Sequence, residues 1–299
     1  MQRRFYTLDV FTQERFTGNP LAVVQDADGL ETSRMQAIAR EFNFPETVFF
    51  LPASDPAHAA RLRIFTPTTE LPFAGHPTVG SAALLGLLHD PKAPQALVLE
   101  EQIGVIRCHV APQGDETAHA RFELPALPRK LAWEPDMAAV AAALRIAPAD
   151  IDAARFALSK WTAGVDMFMV PLAGQVVLSS MRPDVSRWED AFGAAGPRAV
   201  YAFCAQGTPP TTSFRARMFA PLLGVPEDPA TGAAAAAFAG LLAEHGGLGP
   251  GAHEIVIEQG QDMRRPSVIH LKMRLGGTGL IDCAIAGHAV IVMRGTLRA

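Results

Sequence analysis

The sequence predicts an α+β protein made of two similar halves. Short segments rich in β-branched and aromatic residues recur along its 299 residues, and they outnumber the segments in which apolar residues have helical spacing. Runs of strands with a few helices, without strict strand–helix alternation, are typical of α+β architectures. A strand–loop–helix pattern also occurs twice, and a proline-rich segment lies between the two copies. The length is about twice the usual size of one domain, roughly 150 residues, so two domains or one large one are expected.

In the first half, the residue pattern predicts four strands, two helices and a hairpin. The strands are expected at 4–11, 21–25, 47–51 and 61–65. The first helix covers 32–42, where apolar residues follow a helical period, and its expected N-cap is Thr32 or Ser33. The second helix covers 77–88 and begins with proline, whose missing N–H group is not needed at a first helical position. A hairpin is expected over 96–110.

A linker at 124–130, with two prolines in LPALPRK, separates this part from the rest. The predicted halves are therefore 1–126 and 127–280. In the second half, the alanine-rich segments 135–144 and 148–159 are predicted to be helices. Strands are expected at 167–171, 200–204, 215–219, 254–258 and 268–273.

The repeated pattern contains RIFTP from Arg63 and PFAG ending at Gly75, then RMFAP from Arg217 and PATG ending at Gly232. Arg217 follows Arg63 by 154 residues, and Gly232 follows Gly75 by 157. Each glycine precedes a helix of small residues, and a helix N-terminus offers unpaired N–H groups that favour an anion. Two such helix starts facing each other would hold a carboxylate between the halves. The alternative is two ordinary helix starts that never meet.

Three side chains are candidates for acid–base chemistry, and each has a structural alternative. His76 follows Gly75 at a predicted helix start, where a neutral imidazole can donate or accept a proton, although a lone histidine is commonly structural. Glu46 is the one charge in a largely apolar run. It is either a partly desolvated acid with a raised pKa or a strand-edge charge facing water. Asp228 precedes the second helix and is either a site residue or a helix cap.

Composition and motifs exclude several other functions. A net charge of −4 without a basic cluster argues against binding to nucleic acid or to a membrane surface. No lysine follows a glycine, so the P-loop motif is absent. The three cysteines and nine histidines show no metal-ligand spacing, so we expect no metal site. No apolar stretch fits a signal peptide or a membrane span of about 20 residues, so a cytoplasmic protein is expected.

Seven motifs in order along the chain resemble the PhzF family, the phenazine-biosynthesis-like isomerases. They are DVFT from Asp9, FTGNPLAVV from Phe16, FPET from Phe44, AGHPTVG from Ala74, EDPATG from Glu227, EQG from Glu258 and RPS from Arg265. Each motif is weak alone, but together they cover nearly the whole chain. The resemblance implies a diaminopimelate-epimerase-like fold with two pseudo-symmetric halves, each a curved, mostly antiparallel sheet around a central helix. It also implies that the C-terminal segment from about 280 to 299 returns to the first half.

The same resemblance implies an active site in the cleft between the halves, no cofactor or metal, and a homodimer. Glu46 matches the carboxylate that moves a proton between carbons of the substrate, which is a dihydro-3-hydroxyanthranilate in the best-known member. His76 and Asp228 match residues that hold and polarise the substrate. The expected substrate-binding positions are Asn19, Gly75, Thr231, Gly232 and Ala233.

Ala233 departs from the family pattern, because the phenazine enzyme has serine at this position. The missing hydroxyl group argues against the phenazine substrate itself but leaves proton-transfer chemistry possible. Racemases and epimerases of the fold use a cysteine in each half, whereas His76 and Ala233 occupy those positions here. The sequence therefore predicts an isomerase acting on a small carboxylate-bearing metabolite. The alternatives are a non-catalytic binding protein on the same fold and a cofactor-free epimerase.

Overall fold

The computed structural model describes residues 1–194, 196, 198–206 and 213–299, and the chain divides into two compact units. Unit 1 contains Met1–Pro125, Arg265–Val268 and Ala284–Ala299; unit 2 contains Ala126–Arg264 and Ile269–Cys283. Both ends of the chain therefore belong to unit 1. Residues 265–268, which the sequence placed in the second half, also belong to unit 1.

The elements of each unit follow one another along the chain. Unit 1 contains β1 (Gln2–Val10), β2 (Asn19–Val24), α1 (Thr32–Phe42), β3 (Glu46–Leu51), β4 (Ala60–Phe65), β5 (Glu70–Leu71), α2 (Gly75–His89), β6 (Gln95–Glu101), β7 (Gly104–Pro112) and β8 (Thr117–Glu123). Unit 2 contains β9 (Arg129–Leu131), α3 (Met137–Leu144), β10 (Ser159–Thr162), β11 (Asp166–Pro171), α4 (Gln175–Ser180), α5 (Trp188–Phe192), β12 (Ala199–Ala205), β13 (Ser213–Ala220), β14 (Val225–Asp228), α6 (Gly232–His245), β15 (Gly251–Gln259) and, from Ile269 onwards, β16 (Ser267–Gly276). The last strand, β17 (Gly279–Arg298), begins in unit 2 and enters unit 1 at Ala284.

Eight strands of unit 1 form a closed ring around α2. Their order is β4, β6, β7, β8, β17, β1, β2 and β3, and β3 pairs with β4 to close the ring. The β2–β3 and β4–β6 pairs are parallel and the others antiparallel. α2 packs against six of these strands, and it is apolar on all sides, as expected of a fully enclosed helix. Gly80 and Gly86 allow this close approach, because a β-carbon there would press against Leu21 and Val110.

Unit 2 has its own buried helix, α6, which packs against β9, β10 and β11. Its strands pair in the order β9, β10, β11, β12, β13 and β15, with β14 also on β13. The β11–β12 and β13–β15 pairs are parallel. A second apolar core joins α3 and α5 to β11 and β12. Parallel and antiparallel strand pairs thus follow one another in the same order as in unit 1. Pseudo-symmetry of the two units stays a prediction.

The predicted helix at 148–159 is wrong. This segment contains a single 3-10 turn, Pro148–Asp150, and is otherwise irregular up to β10. Ile151 makes an isolated bridge to Leu172, and Phe156 packs edge-on against two other phenylalanines. These tertiary contacts override the helix propensity of the alanines.

Three predicted helix starts are also wrong in detail. α3 begins at Met137 after its N-cap Asp136, and not at Pro135. The N-cap of α1 is Glu31, which makes no side-chain cap, rather than Thr32 or Ser33. α2 begins at Gly75, two residues before the predicted Pro77. Proline is tolerated at the third helical position, because the first four N–H groups of a helix have no partner within it. No helix in the part of the chain that the structure describes is long and apolar enough to span a membrane.

Candidate active site

Glu46 is placed by the short connection between α1 and β3. α1 ends at Phe42, and its C-cap residue Asn43 adopts the left-handed conformation with a φ angle of 52° and turns the chain. Phe44 and Pro45 follow, and Glu46 is the first residue of β3, opposite Leu21 of the parallel strand β2. Its side chain is only 16% exposed, which makes a simple surface charge a poor description of this carboxyl group.

His76 and Asn19 meet beside this carboxyl group. His76 is the second residue of α2, and its Nδ1 atom lies 3.4 Å from Oε2 of Glu46. Asn19 is the first residue of β2 and is fully buried; its Nδ2 atom lies 3.2 Å from the same Nδ1 atom. The direction of this contact depends on which ring nitrogen carries the proton. Three of the residues singled out in the sequence therefore share one buried polar site in unit 1.

Burial keeps the imidazole of His76 neutral. It lowers the pKa of His76 to about 3, while a hydrogen bond with the backbone of Pro20 acts in the opposite direction. The Glu46 carboxyl group is within ion-pair distance of His76. However, an imidazole with a pKa of about 3 carries no charge at neutral pH. The contact between the two side chains is therefore that of a carboxyl group with a neutral ring.

The start of α2 lies at this site without a side-chain cap. Its N-cap residue is Ala74, which has no polar side-chain atom, and Gly75 follows as the first helical residue. Helix starts carry a partial positive charge and unpaired N–H groups. The sequence is thus organised to leave this helix end available to another acceptor.

The remaining predicted residues form a separate group in unit 2. Asp228 ends β14 and is buried, and its Oδ2 atom accepts a 2.5 Å hydrogen bond from the hydroxyl group of Thr231. Thr231 is the N-cap position of α6, and Gly232 and Ala233 are the first two helical residues. Ala233 is 9% exposed and adds only a methyl group, so its backbone is its one polar contribution.

Gln259, which the sequence analysis did not select, holds the unit 2 group together. It is fully buried at the end of β15. Its Nε2 atom donates to the carbonyl oxygen of Asp228 at 2.8 Å and to Oγ1 of Thr231 at 3.0 Å, and its Oε1 atom accepts from the Thr231 N–H at 3.3 Å. Its signal in the sequence was its place directly after Glu258 in the EQG motif.

The repeated arginines anchor the strand before each buried helix. Arg63 donates from Nε and Nη2 to the two carboxylate oxygens of Glu70 on β5, at 2.7 and 2.6 Å. Arg217 makes the same two-fold contact with Glu227 on β14, at 2.8 and 2.9 Å. Paired hydrogen bonds of this kind fix geometry as well as charge. Both motif arginines therefore support the chain that leads into α2 and α6.

A partly buried ion pair supports the loop that leads into Asn19. Asp9 accepts a hydrogen bond from Arg265 and another, of 2.6 Å, from the backbone N–H of Phe16. Arg265 also donates to the carbonyl oxygens of Thr17 and Gly18, at 2.6 and 2.7 Å. Burial raises the pKa of Asp9, and the hydrogen bond from Phe16 and the charge of Arg265 oppose this effect. Sequence reasoning quoted both residues as motif positions but gave them no role.

A family model described as phenazine biosynthesis-like protein, PhzC-PhzF, matches residues 8–295. The chain belongs to this family. Curated members include an "uncharacterized isomerase" of Mesorhizobium japonicum, which is 45% identical over 99% of both chains. Another is the trans-2,3-dihydro-3-hydroxyanthranilate isomerase of Pseudomonas chlororaphis, 34% identical over 98% of both chains. The predicted family and enzyme class are thus confirmed: this PhzC-PhzF protein is an isomerase.

Solved structures confirm the fold class at the level of the architecture. A PhzF-family protein of Bacillus anthracis has a TM-score of 0.88 at 23% identity, with all of both chains covered. A hydroxyproline epimerase of Agrobacterium vitis has a TM-score of 0.61 at 12% identity, covering 99% of this chain and 92% of that one. The α+β fold of this PhzC-PhzF protein is therefore shared with PhzF proteins and with an epimerase.

Proposed function

We propose that this protein is a cofactor-independent isomerase that moves a proton between two carbons of a small, unsaturated or cyclic carboxylate. The observation that carries the proposal is the carboxyl group of Glu46, mostly buried and 3.4 Å from a neutral His76. A single carboxyl group can remove a proton from one carbon and return it to another. Such a shift has no redox change, so it needs no cofactor.

The proposed reaction uses Glu46 as the only proton carrier. Its carboxylate takes a proton from a substrate carbon, and the electron pair of that C–H bond moves into an adjacent double bond system. The protonated Glu46 then delivers a proton to the carbon at the far end of that system, which regenerates the carboxylate. His76, held neutral by burial, donates or accepts a hydrogen bond as charge moves over the substrate.

Substrate binding is assigned to the two helix starts. We propose that Asn19 and the backbone of Gly75 bind the substrate in unit 1. In unit 2, we propose that Asp228 polarises the substrate, and that Thr231 and the backbones of Gly232 and Ala233 bind it. Uncapped helix starts favour carboxylates, which supports this assignment. The homodimer expected from the family resemblance stays a prediction.

The identity of the substrate is proposed only as a chemical class. Relatives at 34% identity are named for trans-2,3-dihydro-3-hydroxyanthranilate. The methyl side chain of Ala233, where the phenazine enzyme has a hydroxyl group, favours a related acid with one fewer hydrogen-bonding group at this position. This named compound and a panel of small unsaturated cyclic carboxylic acids are the appropriate first probes.

Proton exchange with deuterated water tests the proposal directly. An active enzyme should incorporate deuterium from solvent at a substrate carbon and move the double bond, as followed by NMR. Glu46→Gln should lower this rate by about 100-fold to 10,000-fold, because it keeps the shape but removes the proton carrier. Thermal-shift measurements should show that the variant still binds the same probe.

Glu41→Gln is the matched control, because Glu41 is exposed on the neighbouring helix α1. It should leave exchange unchanged. A Glu46→Gln protein with a normal exchange rate would refute the assignment of the proton carrier. Binding without exchange in the native protein would favour the non-catalytic alternative. Exchange with inversion at one carbon and no movement of the double bond would favour the epimerase, whose fold is shared.

A further inference from the structure

Glu101 is a buried carboxyl group that the proposed reaction does not use. It ends β6 and is 7% exposed, and its Oε2 atom has no hydrogen-bond partner among the described residues. Its Oε1 atom lies 2.7 Å from the hydroxyl oxygen of Thr78, in the first part of α2. A buried carboxylate without a cationic partner is strongly disfavoured, whereas the neutral acid is tolerated.

The hydroxyl group of Thr78 lies between two oxygen atoms but has only one hydrogen to donate. Oγ1 is 2.8 Å from the carbonyl oxygen of Ala74, the N-cap residue of α2, and 2.7 Å from Oε1 of Glu101. If Glu101 were ionised, one of these two short contacts would bring two lone pairs together without a hydrogen. If Glu101 is protonated, it donates to Thr78, and Thr78 donates to Ala74, so that both contacts are hydrogen bonds.

We propose that Glu101 is a positioning residue that fixes the start of α2 only while its carboxyl group is protonated. The chain from Glu101 through Thr78 ends on the carbonyl group directly before Gly75 and His76. Loss of the proton breaks this chain and leaves the 3.2 Å hydrogen bond from the Thr78 N–H as the remaining bond of Thr78 to that carbonyl group, which loosens the first turn of α2 and misplaces His76 relative to Glu46. This inference rests on the proposed function, because it concerns the same reacting groups.

Burial supports the neutral state of Glu101 and predicts the pH at which this state is lost. Desolvation raises the pKa of Glu101 to about 8, while the hydrogen bond that Thr78 would donate to the ionised carboxylate opposes this rise. From β7, the thiol group of Cys108 faces this carboxyl group, and burial raises the pKa of that thiol. Glu123 on β8 acts on the same thiol. Within α2, His76 stays neutral at these pH values, because burial lowers its pKa to about 3.

The first test measures the proton itself and does not depend on activity. The infrared difference spectrum between the native protein and Glu101→Gln should contain the carbonyl band of a protonated carboxylic acid at pH 6.5. That band should disappear as the pH rises through about 8. Absence of the band at pH 6.5 would overturn the proposal. This result stands even if no probe is turned over, so it separates this inference from the proposed function.

The second test measures the effect on catalysis through the pH profile. The substrate for this test is a probe whose carbon-bound hydrogen the native protein exchanges with deuterium from the solvent. For this probe, kcat should fall as the pH rises through about 8. Glu101→Gln should keep kcat within about threefold at neutral pH and should lose the alkaline fall, because its amide still donates to Thr78 but does not ionise. Glu101→Leu should lower kcat by about tenfold or more at every pH, with a smaller change in KM.

Thr78→Val is a second way to break the hydrogen bonds between Glu101 and Ala74, because it removes the hydroxyl group that joins them. It should lower kcat as Glu101→Leu does and should abolish the alkaline fall. An unchanged alkaline fall in Glu101→Gln, or a native kcat in Glu101→Leu, would contradict the positioning role. A structural role alone would lower the folded fraction of the variants without moving the pH profile.

Discussion

At the scale of the residue, the neutral state of His76 predicts how the free energy of unfolding changes in acid. Its pKa falls from 6.5 to about 3 on folding, so between these values the unfolded chain binds a proton that the folded chain does not. The free energy of unfolding should therefore decrease as the pH drops from about 6.5 towards 3, by up to about 1.4 kcal/mol per pH unit. Urea unfolding of His76→Gln should show a shallower acid slope.

His89→Gln is the control for this measurement. His89 is the last residue of the same helix and is exposed, so its replacement should keep the native acid slope. An identical slope in His76→Gln would mean that the ring is protonated in the folded state, and the neutral role assigned to it would be wrong.

The residues of the candidate site divide into those with a motif signal and those whose role is visible only in the fold. His76 and Glu46 could be predicted because a helix-start glycine and a lone charge in an apolar run are local patterns. Glu101 lies in no such pattern and Gln259 was marked only by the EQG motif, since the roles of both arise from burial at a strand end. One signal was available: Glu101 follows Gly75 by 26 residues, and Gln259 follows Gly232 by 27, so extending the internal repeat would have paired them.

At the scale of the element, the packing of α6 against β10 gives a prediction for stability. A β-carbon added at Gly240 would overlap the ring of Trp161, which is 7% exposed and cannot move outwards freely. Gly240→Ala should destabilise the protein by about 1 to 3 kcal/mol, despite the better helix propensity of alanine. Gly249→Ala is the control, because no atom lies within 4 Å of the added carbon. Equal unfolding midpoints in urea for the two variants would contradict this packing.

The elements themselves were predictable where one local pattern dominates. α1 was predicted with its observed bounds, and the strands at 47–51 and 61–65 differ from the observed ones by one residue at the start. The strands β5, β8, β9, β10, β14 and β17 were not predicted from the pattern. Several are short, whereas β17 runs for 20 residues and joins the apolar stretch 289–293 to segments with many polar and small residues. Such strands form because a partner strand is present, which no local pattern encodes.

At the scale of the whole molecule, the two ends of the chain complete one closed sheet. β17 pairs with β8 through Ala284–Val290 and with β1 through Ala289–Arg298, so it fills the gap between these strands. The N-terminal amino group donates a 2.7 Å hydrogen bond to the carbonyl oxygen of Ala299. A ring without free edges also removes the exposed strand edges that promote aggregation. The family resemblance predicted that the C-terminal segment returns to the first half, but the ring itself appears only in the structure.

This closure predicts that the chain tolerates new ends but not the loss of its last strand. A circular permutant that joins Ala299 to Met1 through two glycines, with new ends between Gly114 and Asp115, should fold. Those new ends lie in the β7–β8 turn, where a β-carbon on Gly114 would meet no atom within 4 Å. Its thermal midpoint should lie within about 5 °C of the native value, a change of roughly 1 to 2 kcal/mol.

Deletion of 284–299 is the comparison, because it leaves β1 and β8 with unpaired edges and opens the core around α2. We expect this shortened chain to yield no cooperative unfolding transition by circular dichroism. If instead the permutant unfolded while the shortened chain kept a native midpoint, the chain ends would not be closing the ring. The order of the strands around α2, rather than the order of residues along the chain, therefore decides whether unit 1 can form and hold Asn19, Glu46 and His76 in place.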